Sequence, residues 1–207
     1  MKAFSQTALI LGLIIALSGS ANAQQSDGFP KNELQASYGI GTLTEIEVGL
    51  GETMASAFAD IFSFSPDSVQ QVFTSAKGSI NLQYARRLSK VIKLGVTASF
   101  NPVKSRVEFK QGYYSHDSWY FISLMPRIDF LYLNRGIFSM YSGLAVGATY
   151  YIDKNTTSDQ GSSTLQGWLF AFQINALGFR VGKDIGGFAE FGFGDQGLIN
   201  IGISGRF

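Results

Sequence analysis

The sequence predicts an all-β fold, an eight-stranded antiparallel up-and-down transmembrane β-barrel with a short helix in its first extracellular loop. Three observations predict it: a secretory address at the N-terminus, period-two alternation over eight segments of about ten residues, and connections of unequal length at the two ends. The composition agrees. Of 207 residues, 45% are hydrophobic, 14% aromatic and only 15% charged, and 24 are glycine. Charged residues fall well below the usual share of about 25%, and glycine stands above its usual ~7%. That mixture disfavours disorder and coiled coils. Lys+Arg 16 against Asp+Glu 15 leaves no charge bias to attract a polyanion, so no nucleic-acid partner is expected. The absence of cysteine removes disulfides, thiolate zinc sites and cysteine nucleophiles.

Lys2, the apolar run Ala8 to Leu17, and Ala21-Asn22-Ala23 form a three-part secretory signal, so residues 1–23 are expected to be removed. The run is shorter than the ~20 residues of a spanning helix. Residues 24–33 then read as an N-terminal periplasmic segment and 34–207 as the barrel.

The strands read in order as 34–43, 78–86, 93–101, 118–128, 138–151, 165–176, 187–194 and 198–207. The last is the clearest, with Ile199, Ile201, Ile203 and Phe207 on one face and Asn200, Gly202, Ser204 and Arg206 on the other. Segment 165–176 repeats the logic, with Trp168, Phe170, Phe172 and Ile174 against Gln173 and Asn175. An even number of strands suits a closed bacterial barrel. Pro126, which cannot donate a ladder hydrogen bond, is read as a bulge near the periplasmic rim.

With the N-terminus in the periplasm, the outward connections are 44–77, 102–117, 152–164 and 195–197, three of them long. The inner ones, 87–92, 129–137 and 177–186, are short, which is the asymmetry of outer-membrane barrels. One register also yields two aromatic girdles, as expected at membrane interfaces. Phe100, Tyr120, Tyr150 and Trp168 fall at the outer ends, and Tyr84, Phe138 and Phe207 at the periplasmic ends. A soluble β-sandwich would alternate as well, but needs no systematic difference in connection length.

The tail Asn200-x-Gly202-x-x-Gly205-x-Phe207 resembles the C-terminal assembly signal of outer-membrane β-barrels, with Gly205 departing where that family prefers a hydrophobic residue. Residues 34–207 as a whole resemble the small OmpA-like, porin-family barrels of the Bacteroidetes type. The fragments that carry the likeness include SYGIGT (37–42), SLMPRIDFLYL (123–133) and GFAEFGFGDQGLINIGISGRF (187–207). The resemblance implies a Gram-negative outer-membrane location in the cell envelope. It also implies passage past periplasmic chaperones, insertion by the barrel-assembly machinery, and outer-membrane lipid and lipopolysaccharide as surroundings. It implies no activity and no cofactor.

Eight strands leave an interior that side chains just fill. Inward positions carry Gln35, Asn81, Gln83, Thr97, Ser99, Ser123, Gln173, Asn175, Asn200 and Ser204, with the charges Lys93, Arg127, Glu190 and Arg206. An unpaired charge there would be costly, so Glu190 is expected to pair with Arg127. A structural network is favoured over a narrow ion channel. In the first long connection, Met54, Phe58, Ile61 and Phe62 have helical spacing, and Glu45, Glu47, Glu52, Asp60 and Asp67 make it acidic. Loop 44–77 is therefore either a site for a surface partner or a lid over the barrel mouth. Lys104, Arg106 and Lys110 of the second loop answer its charge.

His116 and Ser118 are similar to the H-x-S element of the outer-membrane lipid A deacylase, which makes a lipid A-modifying enzyme the alternative function. Two residues in a polar loop are a weak motif, so the expectation is a non-enzymatic structural or surface-interaction protein. No metal-ligand cluster or phosphate-binding loop appears, and GFGDQG (192–197) reads as a hairpin turn.

Overall fold

A computed structural model gives the structure of the chain and describes residues 32–47, 69–109, 114–157 and 161–207. The signal segment, the N-terminal residues before 32 and the apolar stripe Met54 to Phe62 lie outside the described residues. Nine strands are described: β1 (Asn32–Ile40), β2 (Val69–Ala76), β3 (Ser79–Arg87), β4 (Ile92–Phe109), β5 (Tyr114–Arg135), β6 (Phe138–Thr157), β7 (Gly161–Gly182), β8 (Ile185–Gly194) and β9 (Ile199–Arg206). One short helical turn, α1, spans 43–47.

Eight of the strands close a ring. β1 pairs antiparallel with both β3 and β9, and the ladder runs on through β8, β7, β6, β5 and β4 back to β3. β2 pairs with β4 at 103–109, just beyond the stretch of β4 (93–100) that pairs with β3. It continues the track of β3 after a break at 77–78, where Gly78 takes a φ of 72°. The result is a closed eight-stranded up-and-down antiparallel barrel.

Alternation along the strands is the cause. β3 exposes Ile80, Leu82 and Tyr84 while burying Asn81, Gln83 and Ala85, and β9 exposes Ile201 and Ile203 while burying Asn200 and Ser204. The arrangement is inverted relative to a soluble core. Every ring strand carries exposed large apolar residues, from Leu34 on β1 to Phe193 on β8, whereas most of the buried side chains are polar. Among the fewer buried apolar side chains, Met125, Ala145 and Ala171 form a contiguous patch.

Several connections differ from expectation. The segments 102–117 and 152–164 are mostly strand: β4 runs to 109, β5 starts at 114, β6 runs to 157 and β7 starts at 161. Residues 69–76 of the expected loop 44–77 form β2. At the other end the turns shrink to 88–91, 136–137 and 183–184. The reason is that alternation reports an apolar outer face, not a hydrogen-bonded ladder. In the extensions the outward residues Lys104, Ser118, Lys154 and Gln166 are polar, so the pattern fades while the pairing continues.

Pro126 forms no bulge. It stands opposite Val96 in the β4–β5 ladder, well inside the strand, and the β5–β6 register is the same on either side of it. That ladder shifts register instead between Leu131 and Leu133. The missing donor is absorbed as a local gap in pairing, with Pro126 on the outer face.

Candidate functional site

The candidate site is the barrel interior. Its lower layer, near the tight turns, is centred on Glu33. This carboxylate accepts from Lys93 Nζ at 3.1 Å and Gln35 Nε2 at 3.0 Å, and forms ion pairs with Arg180 Nε and Arg206 Nε, each at 3.2 Å. Arg180 also donates to Ser204 Oγ at 2.5 Å and to the carbonyls of Gly182, Lys183 and Asp184, tying the β7–β8 turn to the lumen wall.

The middle layer is centred on Arg127. Its Nε donates to Asp129 Oδ1 at 2.6 Å and its Nη2 to Glu190 Oε1 at 2.6 Å, with Nη1 reaching Glu190 Oε2 at 3.2 Å. Glu190 also accepts from Tyr141 Oη at 2.7 Å and Asn175 Nδ2 at 2.8 Å. Lys93 joins the layers, 3.6 Å from Asp129 and 4.6 Å above the Tyr141 ring. Gly143 supplies the room, since a Cβ there would meet both Asp129 and the Arg127 guanidinium.

The upper layer departs most from expectation. Residues 195–197 connect β8 and β9 at the end opposite the tight turns, as expected, but the tip of the hairpin folds into the barrel. Asp195 and Gln196 are 5% and 2% exposed. Gly194 and Gly197, with φ of 140° and 117°, permit that path. Asp195 Oδ2 accepts from Thr149 Oγ1 at 2.7 Å and Ser123 Oγ at 3.3 Å. Gln196 donates through its backbone N to Gln173 Oε1 at 2.8 Å and through Nε2 to Thr97 Oγ1 at 3.0 Å, and its carbonyl accepts from Ser79 Oγ at 2.6 Å. Side chains from five neighbouring strands, β3 to β7, thus grip the tip. Above it, Asn101 Nδ2 donates to Thr42 and Thr44 at 2.5 and 2.6 Å. α1 starts with a reciprocal cap, Thr42 N to Glu45 Oε2 at 3.0 Å and Glu45 N to Thr42 Oγ1 at 3.2 Å.

Lys93, Arg127, Glu190 and Arg206 therefore meet in one network, with the Arg127–Glu190 contact expected from the sequence. Sequence reading missed Glu33, Asp129, Tyr141, Arg180, Asp195 and Gln196. Glu33 and Asp129 lie just outside the expected strand limits, so a strand boundary moved by one residue would have found them. Arg180 falls in the expected connection 177–186, and the register shift between Asn175 and Leu177 also reverses the inward parity of β7 there. The interior holds four cations (Lys93, Arg127, Arg180, Arg206) and four carboxylates (Glu33, Asp129, Glu190, Asp195), of which Asp195 is held by the Ser123 and Thr149 hydroxyls and the rest by ion pairs. Such balance is what a low-dielectric interior requires. Among the described residues no group of metal-ligating side chains converges.

The girdle residues lie on the outer face, and the tail residues line β9. Phe100, Tyr120, Tyr150 and Trp168 sit on the neighbouring strands β4 to β7, with Phe100 and Tyr120 stacked at 6.4 Å and Tyr150 and Trp168 at 5.0 Å. At the opposite end Tyr84 donates to Asn32 Oδ1 at 2.9 Å, and Phe138 packs 6.3 Å from Phe179. In β9, Asn200 Oδ1 accepts from Asn81 Nδ2 at 2.9 Å, and Gly202 passes tightly against the backbone of Ala36 and Ser37. Phe207 is held in the ladder by Asn32 while its ring is exposed. His116 and Ser118 stand two apart on β5, opposite Arg106 and Lys104. The His116 side chain lies outside the described residues.

No protein-family model matches the chain, and no curated protein matches it. Among solved structures the chain is similar to Ail, the attachment invasion locus protein of Yersinia pestis. One structure of Ail gives a TM-score of 0.38 at 14% identity, over 85% of this chain and 98% of that one. A second, in complex with the heparin analogue sucrose octasulfate, gives 0.39 at 13% identity with the same coverage. The fold assigned here rests on the ladders of the chain itself.

Proposed function

We propose that the protein is an integral outer-membrane β-barrel with a sealed interior, serving as a structural or surface-interaction protein without chemistry of its own. One observation carries the reading: a closed ring whose outer face is apolar on every strand and whose inside is polar and charge-balanced. In water such an outer face would be a large aggregation surface. In a bilayer it is the solvent-facing side. On β5 the outward face runs from Tyr120 through Ile122, Leu124, Pro126 and Ile128 to Phe130. Ten steps of about 3.3 Å, tilted by about 40°, give roughly 25 Å, the height of a barrel's apolar band. The aromatic row Phe100–Tyr120–Tyr150–Trp168 marks one margin, and Tyr84, Phe138 and Phe207 mark the other.

The tight turns then lie in the periplasm and the long β4–β7 ribbons rise from the cell surface. The tail Asn200, Gly202 and Phe207 supports assembly by the barrel-assembly machinery, and with the rest of the chain it supports an OmpA-like, porin-family kinship. Lipopolysaccharide and phospholipid would surround the belt, and the raised ribbons and loop 44–77 would meet a surface partner. The inward-folded hairpin disfavours the channel reading. Cell fractionation followed by electrophoresis with and without boiling tests the proposal. A heat-dependent mobility shift in the outer-membrane fraction is expected, and a soluble periplasmic protein without the shift would refute it.

A further inference from the structure

Each of the three tight turns sets a basic residue beside an exposed aliphatic one. Lys90 lies between Leu88 and Val91, Arg135 two residues before Ile137, and Lys183 two before Ile185. Ile185, 81% exposed, is the most exposed of the large apolar side chains described. Arg86 falls one outward step beyond Tyr84 on β3. Arg87 donates to the carbonyls of Ser89 and Lys90, both at 3.0 Å, and so fixes the turn that presents Lys90. Asp184 is the one acid of this rim among the described residues. Scattered exposed aliphatic residues need no explanation. The same pairing at every turn, continuous with the apolar belt, describes a surface whose margin enters hydrocarbon while its cations stay at headgroup level.

We propose that this rim binds anionic phospholipids of the leaflet it faces, with Lys90, Arg135 and Lys183 on the headgroup phosphates and Leu88, Ile137 and Ile185 in the acyl-chain margin. The proposal rests on the membrane reading above. A cation near an anionic bilayer surface favours association about fivefold, so three acting together give a preference that survives in a mixed bilayer. The pairing with aliphatic residues selects lipid over a water-soluble polyanion, which would leave the apolar margin in water.

The test reconstitutes the full chain in nanodiscs of phosphatidylcholine mixed with phosphatidylglycerol and counts retained lipids by native mass spectrometry. The chain is expected to hold phosphatidylglycerol over phosphatidylcholine by at least about tenfold. The triple variant Lys90→Gln, Arg135→Gln, Lys183→Gln should fall to near parity, while Lys104→Gln at the opposite end leaves the preference intact. Equal retention by an inserted, heat-shifting protein, or a preference that the triple variant keeps, would overturn this inference alone. A chain that enters neither lipid overturns the membrane reading with it.

Discussion

Replacing Glu190 by Gln probes the lumen network at its most constrained point. The carboxylate is 2% exposed and accepts four hydrogen bonds, two from Arg127, one from Tyr141 and one from Asn175. Glutamine keeps the volume but removes the charge and turns one acceptor into a donor. In one amide orientation the new NH2 faces Tyr141 Oη and Arg127 Nη2; in the other it faces Asn175 Nδ2 and Arg127 Nη1. The Tyr141 hydroxyl can turn to accept, but either way the amide meets an Arg127 N–H that can only donate. Breaking a buried pair from one side costs about 3–5 kcal/mol. Because Asp129 still holds Arg127 at 2.6 Å, the lower end, about 3 kcal/mol, is expected, more than a hundredfold in the folding equilibrium. Arg127→Met should cost more, since it leaves Glu190 without a cation and Asp129 with only Lys93 at 3.6 Å. Urea titration in detergent micelles, read by tryptophan fluorescence and by the mobility of unboiled samples, measures both. A Glu190→Gln loss under about 1 kcal/mol, or an Arg127→Met loss smaller than that of Glu190→Gln, would refute the network as a stabilising unit.

Three further predictions address the belt, the plug and the tail. Leu124→Arg places a charge on the outer face midway between the aromatic margins, and should lower folding stability in vesicles by about 2–4 kcal/mol; a loss below 1 kcal/mol would place that face in water. In planar bilayers the wild-type chain should show no steady conductance, while excising Asp195 to Gly197 should open one. Steady conductance in the wild type would contradict a lumen filled by Gln196, Gln173 and Thr97. Phe207→Ala should lower the heat-shifting outer-membrane fraction several-fold in cells while leaving refolding into detergent intact, and an unchanged fraction in cells would remove Phe207 from the assembly signal.

How much of this was legible in the sequence depends on the period. All eight ring strands were readable because an apolar solvent on one side and a filled polar lumen on the other impose strict alternation, as in Ile201 and Ile203 against Asn200 and Ser204. The alternation stops where the outward apolar residues stop, so β2 and the outer ends of β4 to β7 read as loops although their ladders continue. Parity also fails after a register shift, as it does at Arg180. The inward fold of Asp195 and Gln196 left no periodic trace. Gly-rich GFGDQG marks a turn, but the direction of the turn is set by the hydrogen bonds that Thr97, Ser123, Thr149 and Gln173 offer from four strands. Glu33 shows the limit differently: its partners Lys93, Arg180 and Arg206 lie at least 60 positions away in the chain and come together only when the barrel closes.

The central claim is that the outer face of the ring meets lipid, and the chain offers a clean way to measure it because it contains no cysteine. Single cysteines at positions 200, 201, 203 and 204 of β9, leaving Gly202 against the Ala36–Ser37 backbone untouched, each carrying an environment-sensitive fluorophore, would be examined in vesicles containing acyl chains with a nitroxide quencher. Strong quenching at positions 201 and 203, with little at 200 and 204, is the result the structure predicts. Uniform protection at all four positions, or quenching that does not follow this alternation, would contradict a membrane-embedded barrel.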